Sequence, residues 1–158
     1  MQPQFELREN MDKKDIVCRH QMPAQLRFSD VDRFGHVNNS VYFALFDMCK
    51  TKYFLDVIGP SVFERLAIVI ANVNADFLAP IYYPDEIVIQ TSTIGLGNKS
   101  FTLFQRALNV RTREVKCECT TIMVVFDTEE SRSVRMPDDW KQKLAEYEQN
   151  PSLLESTK

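Results

Sequence analysis

The sequence predicts an α+β fold, an antiparallel sheet wrapped around one long central helix. Three observations lead there. From Val41 to Ile58 the chain has no Pro or Gly and is apolar at most positions, so a helix in that stretch has to be buried. Further along, the apolar period changes from helical to two in four successive runs. Short turn-forming stretches join those runs, the pattern of antiparallel strands linked by hairpins.

Residues 1–20 cluster charge at Glu6, Arg8, Glu9, Asp12, Lys13, Lys14 and Asp15 and show no sustained period, so they read as a flexible N-terminal extension. Ala24 to Ser29 alternates apolar and polar residues and reads as a strand. Asp30 to Gly35 is a polar turn that ends on glycine. Asn38, Asn39 or Ser40 can cap the helix that follows by accepting from free N–H groups. Val41 to Phe46 is apolar on every face, and Gly59-Pro60 stops the helix. Ser61 to Leu66 fits one further helical turn. The four strands are Ile68–Phe77, Glu86–Ile94, Phe101–Val110 and Val115–Phe126. Between them lie a loop with Pro80 and Pro84, a turn at Gly95 and Gly97, and a reversal at Arg111 to Arg113. Pro137-Asp138-Asp139 opens a second helix, Trp140 to Tyr147. The expected division is therefore 1–20 as extension, 21–135 as the α+β domain, and 136–158 as C-terminal helix and tail.

Bulk properties exclude several classes. The 158 residues are 44% hydrophobic and 26% charged, as in an ordinary soluble globular domain. A net charge of -3 gives no basic excess for nucleic acid. No apolar run reaches the length of a membrane span, and the polar N-terminus has no signal-peptide core, so the cytoplasm is the expected location. Cys18, Cys49, Cys117 and Cys119 match no zinc spacing and are expected as reduced thiols. There is no G-x-S-x-G, no P-loop and no metal signature.

The densest polar cluster runs from Arg27 to Asn39 and leads into the N-terminus of the central helix. A helix start offers free N–H groups and a positive dipole end, which suit an anion or a developing oxyanion. A carboxylate beside it can act as nucleophile or as base on water. From residue types alone, helix capping explains the same Asp, Asn and Ser residues, and His36 after glycine reads as a structural hydrogen-bond donor.

The string Asp30-Val31-Asp32-Arg33-Phe34-Gly35-His36-Val37-Asn38-Asn39-Ser40-Val41-Tyr42 resembles the signature of the 4-hydroxybenzoyl-CoA thioesterase-like family of hotdog-fold acyl-CoA thioesterases. That signature is roughly D-x-D-x-x-G-H-V-N-N-x-x-Y with an acidic residue five positions later, a place filled by Asp47. Asn74 to Glu86 and Gly97 to Phe101 resemble further blocks of the family, so the likeness covers about residues 22–127. The resemblance implies a hotdog fold and a hotdog thioesterase domain over 21–135. It implies that Asp32 is the catalytic carboxylate and that the backbone N–H near Asn39 polarises the thioester carbonyl. His36 and Asn38 would shape the loop or position water, with Tyr42 beside them on the substrate. Lys99 and Ser100 would lie near the acyl or pantetheine channel. Asp30 is the structural rival of Asp32. Asp47 is either a catalytic acid on the helix or an anchor for the loop through Arg27 or Arg33. The resemblance further implies an acyl-CoA substrate, no metal or redox cofactor, and a homodimer or homotetramer joined edge to edge with the active site across the interface. The alternatives are a thioesterase acting on acyl carrier protein and a domain that binds acyl thioesters without turnover.

Overall fold

In the computed structural model the described residues are 11–157. Strand β1 (His20–Ala24) precedes helix α1 (Asn39–Val57), and strands β2 (Leu66–Phe77), β3 (Ile87–Leu96), β4 (Ser100–Asn109) and β5 (Val115–Asp127) follow. A two-residue strand β6 (Arg132–Ser133) and helix α2 (Asp138–Tyr147) complete the order. The sheet is antiparallel throughout, with spatial order β1-β3-β4-β5-β2 and β6 beside β5. This is the hotdog arrangement, a curled sheet with one long helix against its inner face.

The first strand departs from expectation: it spans His20–Ala24 and not Ala24–Ser29. Pro23 is tolerated there because β1 is an edge strand, paired only with β3. Phe28–Asp30 instead winds into a 3₁₀ turn, since the Asp30 carboxylate draws in the Arg27 N–H at 2.8 Å. Residues 1–10 of the expected extension lie outside the described residues. Within the rest of it, Ile16 and Cys18 are buried against Phe104, and Arg106 Nη2 donates to the Ile16 carbonyl at 2.8 Å.

Helix α1 sits on two apolar clusters. Toward its N-terminus Tyr42, Leu45, Phe46 and Cys49 pack on Ile81, Ile87 and Ile89. Toward its C-terminus Tyr53 and Phe54 pack on Phe101, Leu103 and Trp140. A polar seam lies between them: Gln105 Nε2 donates to the Phe46 carbonyl at 3.1 Å and to Thr91 Oγ1 at 3.0 Å. The helix is not buried all round. Phe43, Ala44, Asp47, Met48, Thr51 and Leu55 form an open face, because the sheet of one chain curls around only one side of the helix.

Helix α2 is part of the core, through Trp140, Leu144 and Ala145. Just beyond it, the buried Glu148 carboxylate accepts from Tyr53 Oη, from the Thr93 N–H at 2.8 Å and from Ser92 Oγ at 3.0 Å. Strand β2 is the other edge of the sheet. Register places Leu66, Ile68, Ile70, Val73, Ala75 and Phe77 on its inner face, with an irregularity between Ile70 and Asn72. Val73 and Phe77 are still 37% and 42% exposed, so that apolar face stays open.

Candidate active site

The polar segment before α1 forms a small hairpin. The Asp32 N–H donates to the His36 carbonyl and the Asn38 N–H to the Asp30 carbonyl, both at 2.8 Å, around the facing pair Val31 and Val37. The turn needs Gly35, whose φ of +79° lies in the left-handed region. The far arm is fixed in turn by the Val37 N–H donating to the Ile81 carbonyl at 2.8 Å. By strand alternation Asp32 and His36 face each other on one side, and Asp30 and Asn38 stand one step nearer the helix, about 7 Å along.

The two aspartates have different surroundings. Asp30 is 3% exposed, and its carboxylate accepts from the Arg27 backbone N–H, Nε and Nη2. The Arg27 guanidinium holds its carboxyl below the usual range. Asp32 is half-buried; its Oδ1 accepts from the N–H groups of Phe34 at 2.8 Å and His36 at 3.3 Å. Its Oδ2 has no hydrogen-bond partner among the described residues.

Asn38 is the N-cap of α1, its Oδ1 accepting from Ser40 N–H at 3.0 Å and Ser40 Oγ at 2.8 Å. The Val41 N–H donates to the Asn38 carbonyl at 2.9 Å. These bonds leave the Asn39 N–H, first of the helix, without an acceptor among the described residues. The ring of His36 meets Tyr82 edge-on at 5.1 Å. Tyr42 is buried, its ring edge-on to Phe77 at 5.2 Å.

Lys99 and Ser100 are not brought to this place within one chain. Lys99 Nζ donates to the Ser133 carbonyl, and Ser100 is paired with Val124, beside the C-terminal end of α1. A helix of 19 residues is about 28 Å long. Asp47 does not anchor the loop: Arg27 is taken by Asp30, Arg33 lies over Phe34 at 5.9 Å, and Asp47 Oδ1 accepts from Lys50 Nζ at 2.9 Å. Lys50 is 5% exposed. The sequence reading missed it, although three-residue spacing from Asp47 on a helix is the pattern of an ion pair. It also missed the aromatic wall beyond Asn39, where Phe43, one turn along, meets Phe77 edge-on at 6.2 Å.

Cysteine chemistry is disfavoured, since burial pushes the Cys49 thiol up to about 11 and Cys117 to about 12. The four cysteines are free and buried. No helix among the described residues is long and apolar enough to cross a membrane.

The comparisons with known proteins agree with this architecture. An uncharacterized protein of Bacillus subtilis (strain 168), YsmA, is 29% identical over 119 residues, 75% of this chain and 80% of that protein. The crystal structure of the PA5185 protein from Pseudomonas aeruginosa superposes with a TM-score of 0.75 at 26% identity, over 82% of this chain and 92% of that one. A thioesterase from Thermus thermophilus, crystallised with coenzyme A and Zn, has a TM-score of 0.73 at 24% identity, over 83% and 95% of the chains. The sequence profile of the thioesterase-like superfamily matches residues 26–144, which include the hairpin, α1 and the whole sheet beyond it. The chain belongs to the thioesterase-like superfamily and is a hotdog-fold thioester hydrolase.

Proposed function

We propose that the protein hydrolyses an acyl-CoA to the free acid and CoA at the hairpin before α1, with Asp32 as the catalytic carboxylate. One observation carries this reading. Of the two loop aspartates, only Asp32 keeps a carboxylate oxygen uncommitted, in the same loop that ends on the uncommitted Asn39 N–H. Acting as base, Asp32 Oδ2 takes a proton from water while the water oxygen bonds to the thioester carbon. The Asn39 N–H donates to the carbonyl oxygen as it becomes an oxyanion, aided by the helix dipole. Collapse breaks the carbon–sulfur bond, and the departing thiolate receives the proton from Asp32. Direct attack by the carboxylate is the other route open to the same group. His36 shapes the turn through the carbonyl that accepts from Asp32, and Asn38 orients the helix start.

CoA as the thiol is supported by the likeness to the Thermus enzyme crystallised with coenzyme A. Assembly through β2 is supported by its unpaired edge and open apolar face. An antiparallel pairing of two β2 edges would carry Lys99 and Ser100 of one copy toward Asp32 of the other, the arrangement in which those residues serve the substrate. The four unpaired thiols suit a reducing compartment such as the cytoplasm.

The test is thiol release from an acyl-CoA panel by the wild type, Asp32→Asn and Asp30→Asn. Asp32→Asn should lower kcat by about 10²- to 10⁴-fold with thermal stability kept. Asp30→Asn should instead lower the unfolding temperature, because Arg27 loses its buried partner. A wild type that releases no CoA from any thioester would leave a binding domain as the correct description.

A further inference from the structure

The cleft between α1 and the inner face of β2 begins at the Asn39 N–H. Its first stretch is apolar and aromatic. Phe43 is 38% exposed and faces Phe77, with Tyr42 behind. One turn deeper the lining changes. Asp47 and Lys50 form an ion pair at 2.9 Å, with the lysine buried and the aspartate side chain 57% exposed. Asp47 follows Phe43 by four residues and Lys50 follows Asp47 by three, so helical spacing puts all three on one face of α1. Cys119 is the register partner of Ala75, two residues along β2 from Phe77. The rise of the helix therefore puts Asp47 about 6 Å past the Phe43–Phe77 wall, near the level of Ala75 on β2.

Resting on the thioesterase reading above, we propose that the Asp47–Lys50 ion pair is the end-stop of the acyl channel and restricts the enzyme to short and medium acyl chains. Along α1, Phe43 stands about 6 Å and Asp47 about 12 Å from Asn39. Methylenes lying against Phe43 and Phe77 leave water for an apolar wall, and each is worth about a fourfold gain in kcat/KM. A longer chain meets the pair. There a methylene removes water from the Asp47 carboxylate and offers no hydrogen bond in return. Lys50 is buried, and its ammonium donates to Asp47 at 2.9 Å, which holds the carboxylate at this place. In an assembly with a second copy the cleft gains a roof, while the floor remains this pair.

The experiment measures kcat/KM for butanoyl-, octanoyl-, dodecanoyl- and hexadecanoyl-CoA. For the wild type it should rise from butanoyl to octanoyl and fall by tenfold or more at dodecanoyl and beyond. Replacing both charges, Asp47→Ala with Lys50→Met, opens the floor without stranding a buried charge. The dodecanoyl-to-octanoyl ratio should then rise about tenfold, and a ratio within one preparation is independent of the fraction of enzyme folded. Asp47→Asn keeps an acceptor for Lys50 and serves if the double variant does not fold; its ratio should rise in the same direction by a smaller factor. A wild type that accepts hexadecanoyl-CoA as well as octanoyl-CoA, or a ratio unmoved in a folded variant, overturns the end-stop. Loss of thiol release from every member of the panel would overturn the thioesterase reading instead, so the two failures are distinguishable.

Discussion

At the scale of single residues, the two aspartates of the hairpin differ by what already binds them. Their order in the sequence, two apart on one side of an extended arm, gives no such distinction. It arises because Arg27, three residues upstream, folds back in a 3₁₀ turn and saturates Asp30. The role of Asn39 is separable from its side chain, because what matters there is an N–H. Asn39→Pro removes that donor at the helix position where proline fits best, and Asn38 already has the extended backbone that a following proline requires. Circular dichroism should show the fold unchanged while kcat falls about 10²- to 10³-fold. Full activity in the proline variant would move the oxyanion donor elsewhere. His36 and Asn38 were legible as members of a motif; that their backbone groups hold the hairpin was not, because cross-strand pairing follows from where Ile81 sits, a residue far along the chain.

At the scale of elements, α1 and the four long strands follow from the sequence because their signals are long and strongly periodic. The first strand was displaced by competition between alternation and a local carboxylate turn at Asp30, and side chain–backbone bonding won. The open face of α1 was misread for a different reason. Apolar residues on every side of a helix specify burial, yet they do not say whether one chain or two supplies the cover. The C-terminal segment is another element whose role is set by tertiary contact. Glu148 is buried with three donors around it, and burial raises its carboxyl above the usual glutamate range. A folded-state pKa above the unfolded one contributes stability that is present on the acid side and is lost as pH rises through the folded value. Glu148→Gln keeps an acceptor for Tyr53 and Thr93 and removes the ionisation. Its unfolding temperature relative to the wild type should therefore improve steadily from mildly acidic to neutral pH. A difference that is flat with pH would mean that folding leaves the Glu148 carboxyl at its unfolded pKa.

At the scale of the whole molecule, one edge of the sheet is short and interrupted by Pro23, while the other is the twelve-residue strand β2, with an apolar inner face and an outer edge that has no strand beside it among the described residues. Such an edge associates, and the open inner face of β2 continues onto the open face of α1. Sedimentation analysis should show at least a dimer. Val69→Lys, which places a charge on the outer face of the unpaired edge and away from the cleft, should release monomers and reduce thioester hydrolysis with them. A wild type that sediments as a monomer with full activity would remove the second copy from the site. The same strand has a consequence for how the chain reaches its native state. In order of synthesis β2 appears before β3, β4 and β5, yet its only neighbour in the sheet is β5. Until that distant partner arrives, β2 has two bare edges and an apolar face in water, so yield on refolding should fall as protein concentration rises, until the last long strand docks.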